Sequence, residues 1–178
     1  HIRHHRPKRK NPNYHTTYRV KANVLGSQLL ALDSDTEDER SSFASLLADP
    51  FIGQYAALIH TSASSTWERP RSRVVFLLDR VLNREDYELA LQALLFHYHF
   101  CDQSVKHAAA VFYGAKDCAY CLLRNILPVS VLWEKFVEPY QAHLQSENHK
   151  RTEARQRRLV EAGAKVTTES LFEQIAAY

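Results

Sequence analysis

The stretch Trp67-Glu68-Arg69-Pro70-Arg71-Ser72-Arg73-Val74-Val75-Phe76-Leu77-Leu78-Asp79-Arg80 runs from an arginine-bearing loop into a β-branched, apolar segment that predicts a strand over 74–78. Arg71, Arg73 and Leu77 share one parity, and Val74, Phe76 and Leu78 share the other, so one face of this strand is apolar and the other mixed. Upstream, Ser27–Leu32 ends in the apolar run Leu29-Leu30-Ala31-Leu32 and stops at Asp33, as a buried strand does. Tyr18–Val24 alternates only weakly, and Tyr55–Thr61 (YAALIHT) predicts a short strand that empties into Ser62–Thr66. Phe43, Leu46 and Leu47 predict a helix ended by Pro50. Asn83 is placed to cap a helix running to about Tyr98 through Tyr87, Leu91, Leu94 and Leu95.

Further on, 109–114 (AAVFYG) and 120–127 (YCLLRNIL) predict two short strands, and Val131–Leu144 predicts a helix kinked at Pro139. The charged segment 147–161 continues helically, Gly163 interrupts it, and 168–177 predicts a last short helix. Strands mixed irregularly with helices give an α+β class: a mainly antiparallel sheet, flanking helices and a helical C-terminal segment. The expected organisation is a basic flexible arm over 1–17, a body over 18–145 and a helical extension over 146–178.

The chain has 178 residues, 45% of them hydrophobic and 24% charged, which suits one folded domain with its own core. No stretch reaches the ~20 apolar residues of a membrane span, and the basic N-terminus lacks the apolar segment of a signal peptide. Three cysteines are an odd number in a chain of this size, which favours a reducing, cytoplasmic setting. The absence of Met, even at position 1, suggests a segment cut from a longer protein. The net charge of +3 conceals an asymmetry: residues 1–32 carry seven Lys/Arg and no acid, whereas 33–178 carry sixteen bases and twenty acids. The arm, with Pro7 and Pro12, reads equally as a solvated linker or as a phosphate-binding segment.

Asp33 and Asp35 stand two residues apart at the end of an apolar strand, so both carboxylates can serve one point at the sheet edge. Hard oxygen ligands of this kind suit Mg²⁺ or Mn²⁺, the ions of two-metal nucleotidyl transfer. The competing reading of DSDTEDE is a solvated acidic turn that caps the next helix. A calcium loop starting at Asp33 is excluded, because Asp38 and Ala44 occupy the positions that need Gly and Glu.

Taken together, LLALDSDTED, IHTSASSTWERPRSRVVFLLDR and CDQSVKHAAAVFYGAKDC resemble the catalytic domain of the archaeo-eukaryotic primase superfamily, in its primase-polymerase group of phage and plasmid replication proteins. The resemblance covers roughly residues 18–140 and is most specific along 69–80. It implies an RRM-like sheet and a metal-binding catalytic set of Asp33, Asp35 and Asp102. Asp79, at the end of the 74–78 run, is a competing third carboxylate that ranks below Asp102 because Asp79-Arg80 reads as a local turn pair. It further implies that Ser64, Ser65, Arg71, Arg73 and Lys106 face a nucleoside triphosphate. Arg71 and Arg73 are the stronger phosphate ligands, because the guanidinium fork grips phosphate bidentately. The implied activity is transfer of nucleotides from NTP or dNTP to a nucleic-acid 3′ end, with single-stranded template or primer-template DNA as partner and a helicase domain as a companion in the same protein. Two positions depart from the family pattern. Ser65 stands where related sequences carry His, and Ala108-Ala109-Ala110 occupies the stretch that usually holds a basic residue. A hydroxyl has neither the charge nor the proton of an imidazolium. This pattern fits a catalytically inactive nucleic-acid-binding module, or a site that has moved its phosphate contacts elsewhere.

Two other constellations compete. His97, His99, Cys101 and the pair Cys118/Cys121 have the ligand types of a Zn²⁺ site, against the alternative of buried cysteines and a His-rich helix end. His97-Tyr98-His99 with Tyr113 and Lys116 also has the form of the metal and nucleophile motifs of rolling-circle replication endonucleases. Lys150, Arg151, Arg155, Arg157 and Arg158 lie on the expected C-terminal helix, as a solvated face or a DNA contact.

Overall fold

A computed structural model describes residues 24–36, 38–108, 110 and 116–161. The basic arm over 1–17, the strand expected over 109–114 (Ala110 apart) and the helix over 168–177 lie outside the described residues. The chain divides into two units, one ending at Glu138 and one starting at Pro139.

The first unit is α+β. Its elements are β1 (Gly26–Ser34), α1 (Phe43–Ala48), α2 (Pro50–Tyr55), β2 (Leu58–Thr61), β3 (Ser72–Asn83), α3 (Arg84–His97), β4 (Tyr120–Leu122), β5 (Ile126–Leu127) and α4 (Val129–Leu132). Among the described residues, the five strands form one sheet in the order β1-β3-β2-β4, with β5 alongside β3. Every pairing is antiparallel except β3 with β5. The order strand, helix, strand, strand, helix, with β3 between β1 and β2, matches the first part of the RRM-like connectivity expected, but β4 pairs with the outer edge of β2 where an RRM core would set its fourth strand beside β1.

Alternation makes one side of the sheet the core. Leu30, Leu32, Ile59, Val74, Phe76 and Leu78 are fully buried, and the register sets Leu30 against Phe76 and Leu32 against Val74. Helices cover this side. The ring of Phe51 on α2 lies 5.9 Å from that of Phe76 and 4.7 Å from that of Phe136. From α3, Leu91, Leu94 and Leu95 are buried as well. The β1–β3 register shifts between Ser27 and Leu29, and there the Gln28 amide donates to the Leu78 carbonyl at 2.8 Å. At Gly26 the two strands approach so closely that a Cβ would run into the Leu82 carbonyl.

Several local expectations are corrected. Pro50 does not simply end a helix; with Asp49 accepting from Ile52 N–H at 2.8 Å, it opens α2 at the first-turn position where a missing N–H costs nothing. Tyr55 therefore closes a helix, and the strand after it begins only at Leu58. The strand expected to end at Leu78 runs on to Asn83. The single strand expected over 120–127 is two, separated where Arg124 takes φ 60° and Leu123 and Arg124 N–H both donate to Ala57 O at 3.0 Å. Asn83 caps α3 as expected, accepting from Asp86 N–H at 2.8 Å.

Instead of a plain kinked helix over 131–144, α4 leads into a π-helical turn at Trp133–Val137. Pro139 has no N–H and crowds the carbonyl four residues back, and the wider turn before it accommodates both. The second unit is described as a helix continuing to Glu161 (α5, Glu138–Glu161), with Lys150, Arg151, Arg155, Arg157 and Arg158 along it. No helix among the described residues is long and apolar enough to cross a membrane.

Candidate functional site

The other side of the sheet carries polar chemistry at one end. Asp33 on β1 is the register partner of Arg73 on β3, Arg73 that of His60 on β2, and His60 that of Tyr120 on β4. Directly paired residues share a face, so Asp33, Arg73, His60 and Tyr120 form one row across four strands. Their chain neighbours Leu32, Ile59 and Val74 point into the core.

Arg73 donates to Asp33 Oδ2 from Nε at 3.3 Å and from Nη2 at 3.2 Å, and the two side chains are only 16% and 14% exposed. One residue beyond β1, Asp35 Oδ1 accepts from Arg71 Nε at 2.7 Å. Each carboxylate of the acidic pair thus has an arginine partner. The loop between β2 and β3 holds Arg71 in place. Ser65 Oγ accepts from Arg71 N–H at 3.0 Å, Ser64 Oγ accepts from Arg71 Nη1 at 3.1 Å, and Ser62 N–H donates to Arg71 O at 2.9 Å. Ser64 and Ser65 therefore position an arginine here.

Asp102 lies beside Asp33: its N–H donates to Asp33 O at 2.7 Å. Its carboxylate caps the turn Gln103–Val105, accepting from Ser104 N–H at 2.8 Å and from Ser104 Oγ at 2.7 Å. Lys106 closes that turn and is exposed. Among the described residues no three His, Cys, Asp or Glu side chains are gathered around a common metal position. The donor set offered by Asp33, Asp35 and Asp102 is three carboxylates, which is chemically right for Mg²⁺ or Mn²⁺. Two are engaged by arginine and one by a serine.

The acidic stretch is split in use. Asp38 does what a capping acid does: it accepts from Arg40 N–H at 2.9 Å and pairs with Arg40 Nη2 at 2.6 Å. The Arg40 hydrogen bonds hold the Asp38 carboxyl down at about 2. Asp33 and Asp35 look across the sheet instead.

Asp79 is not a turn residue and does not belong to this row. It lies inside β3 and accepts from Val129 N–H at 3.0 Å, fixing the start of α4. His97 ends α3 with its ring 5.0 Å from that of Phe136. His99 lies in the following turn, its Nε2 3.4 Å from Arg40 Nη2, so the two histidines are not alternate residues of one strand. Cys101 is 2% exposed, and burial pushes its thiol up to about 12. Tyr113 lies outside the described residues.

His60 and Tyr120 are the members of the row that the sequence left unmarked. His60 Nδ1 donates to Thr61 O at 2.9 Å, and Nε2 takes no part in that bond. The available signal was parity, since His60 alternates with an inward-facing Ile59. Its neighbours could be named only once the register was known.

No protein-family model matches this chain, and neither a curated protein nor a solved structure does.

Proposed function

We propose that the first unit is a primase-polymerase-like nucleotidyltransferase domain that binds a nucleoside triphosphate and divalent metal on the outer face of its sheet. The observation that carries this reading is the pairing of Asp33 with Arg73 and of Asp35 with Arg71 at one end of β1 and β3, with Asp102 held against Asp33 by a backbone hydrogen bond. An isolated acidic turn would place neither two arginines nor a third aspartate there.

Asp33, Asp35 and Asp102 would hold Mg²⁺ or Mn²⁺, which would activate the attacking 3′-hydroxyl and stabilise charge on the transferring phosphoryl group. Each ion pair is neutral, so the bare site has no excess positive charge for a polyanion. Cations taken up by the carboxylates release Arg71 and Arg73 for the phosphate oxygens, where their bidentate geometry is strongest. Ser64 and Ser65 keep Arg71 at the rim during this exchange. The substrates are NTP or dNTP and a primer-template or single-stranded DNA, and a helicase domain in the same protein would supply the opened strand.

Primer extension by the full chain with Mn²⁺ tests the reading: labelled product is expected from the wild type and none from Asp33→Ala. Absence of product with either Mg²⁺ or Mn²⁺ would sink the enzyme. The capping of Ser104 by Asp102 favours a second reading, a nucleic-acid-binding module without catalysis. DNA binding without any extension product would select it.

A further inference from the structure

The four-residue row extends well past the carboxylates and arginines. Asp33 and Tyr120 are separated by three interstrand steps of ~4.8 Å, roughly 14 Å in all, which is about the reach of an extended nucleoside triphosphate from its terminal phosphate to its base. The chemistry along the row is graded. It begins with a carboxylate, passes to a guanidinium and an imidazole, and ends on an aromatic ring. Tyr120 is 65% exposed, and no core packing accounts for a ring at that position. The His60 ring is oriented by its Nδ1–H bond to Thr61 O. Its Nε2 has no hydrogen-bond partner among the described residues, and His60 lies between the arginine and the tyrosine in the row.

We propose that His60 and Tyr120 complete a nucleotide track, in which His60 Nε2 faces the phosphates and Tyr120 stacks against the base. The inference rests on the nucleotide-site reading above and adds to it the groups that hold the substrate's other end. A tyrosine face accepts any base, so the track selects for a nucleotide over a bare polyphosphate without selecting among bases. The alternative occupant of Nε2 is metal, since a ligating His commonly donates its other N–H to a carbonyl.

The test compares ATP with inorganic tripolyphosphate, both titrated calorimetrically into the full chain with Mn²⁺. Wild type is expected to bind ATP about tenfold more tightly than tripolyphosphate, a typical contribution for one stacked base. Tyr120→Ala should erase that ratio by weakening ATP alone, and Tyr120→Phe should preserve it. His60→Gln should weaken both ligands several-fold. Circular dichroism of each variant should be unchanged, because Tyr120 is exposed and His60 lies off the core. If both ligands bind wild type and neither substitution alters them, the track is overturned and the metal-phosphate site stands. If His60→Gln weakens Mn²⁺ binding measured without nucleotide, His60 is a metal ligand and its phosphate role is overturned. If wild type binds neither ligand with Mn²⁺, the nucleotide site itself fails and the track with it.

Discussion

The two faces of the sheet are built from the same strands and obey different rules. On the inner face, Leu30, Leu32, Ile59, Val74 and Phe76 have no solvent exposure, and what matters there is apolar area and shape. On the outer face, apolar residues such as Ala31 and Val75 give way at one end of the sheet to charged residues held as pairs: Asp33 with Arg73, and Asp35 with Arg71. Inner-face residues are exchangeable in principle for others of equal volume. The charged pairs of the outer face are not, because removing one partner strands the other.

Phe76→Ala should have the largest effect on stability. It removes the central ring of the core and its contact with Phe51, and urea unfolding should show a loss of about 3–5 kcal/mol. On the outer face, Asp33→Leu should cost about 1–3 kcal/mol, because the Arg73 guanidinium loses its carboxylate in a site with little solvent. The double variant Asp33→Leu/Arg73→Leu should recover to within about 1 kcal/mol of wild type while losing metal-dependent nucleotide binding entirely. If the single and double variants are equally unstable, the pair is part of the scaffold and the contrast between faces breaks.

Ser72→Ala should have the smallest effect and the opposite sign. Ser72 is fully buried on the inner face, and its hydroxyl has no hydrogen-bond partner among the described residues. Removing it should stabilise the fold by up to about 1 kcal/mol. Destabilisation in the same urea titration would show that the hydroxyl is satisfied in solution and that the inner face is not purely a packing surface.

Much of the fold was legible along the chain. The β-branched run at 74–78, the apolar run before Asp33 and the Asn83 cap all carry their own local physics, and each produced the element expected. The errors came where two local rules competed. Pro50 can end one helix or open the next, and Asp49 as a cap decided for the second. Asp79-Arg80 reads as a turn pair, but strand pairing carried β3 beyond it and gave Asp79 to the start of α4.

The candidate site was legible in composition and hidden in arrangement. Asp33, Asp35, Arg71 and Arg73 stood out because paired acids after a strand and alternating arginines before one are unusual patterns. His60 and Tyr120 belong to segments that read only as short strands.

By itself, then, the sequence determined which residues face in and which face out, because alternation along a strand is a property of neighbouring residues. It also determined the α+β class, through the lengths and spacing of the apolar runs. Only the tertiary structure decided that Asp33 meets Arg73, that Arg73 meets His60 and that His60 meets Tyr120. Register is a relation between segments far apart in the chain. It is settled by the packing of the whole inner face, since a shift of one residue would turn every buried side chain outward.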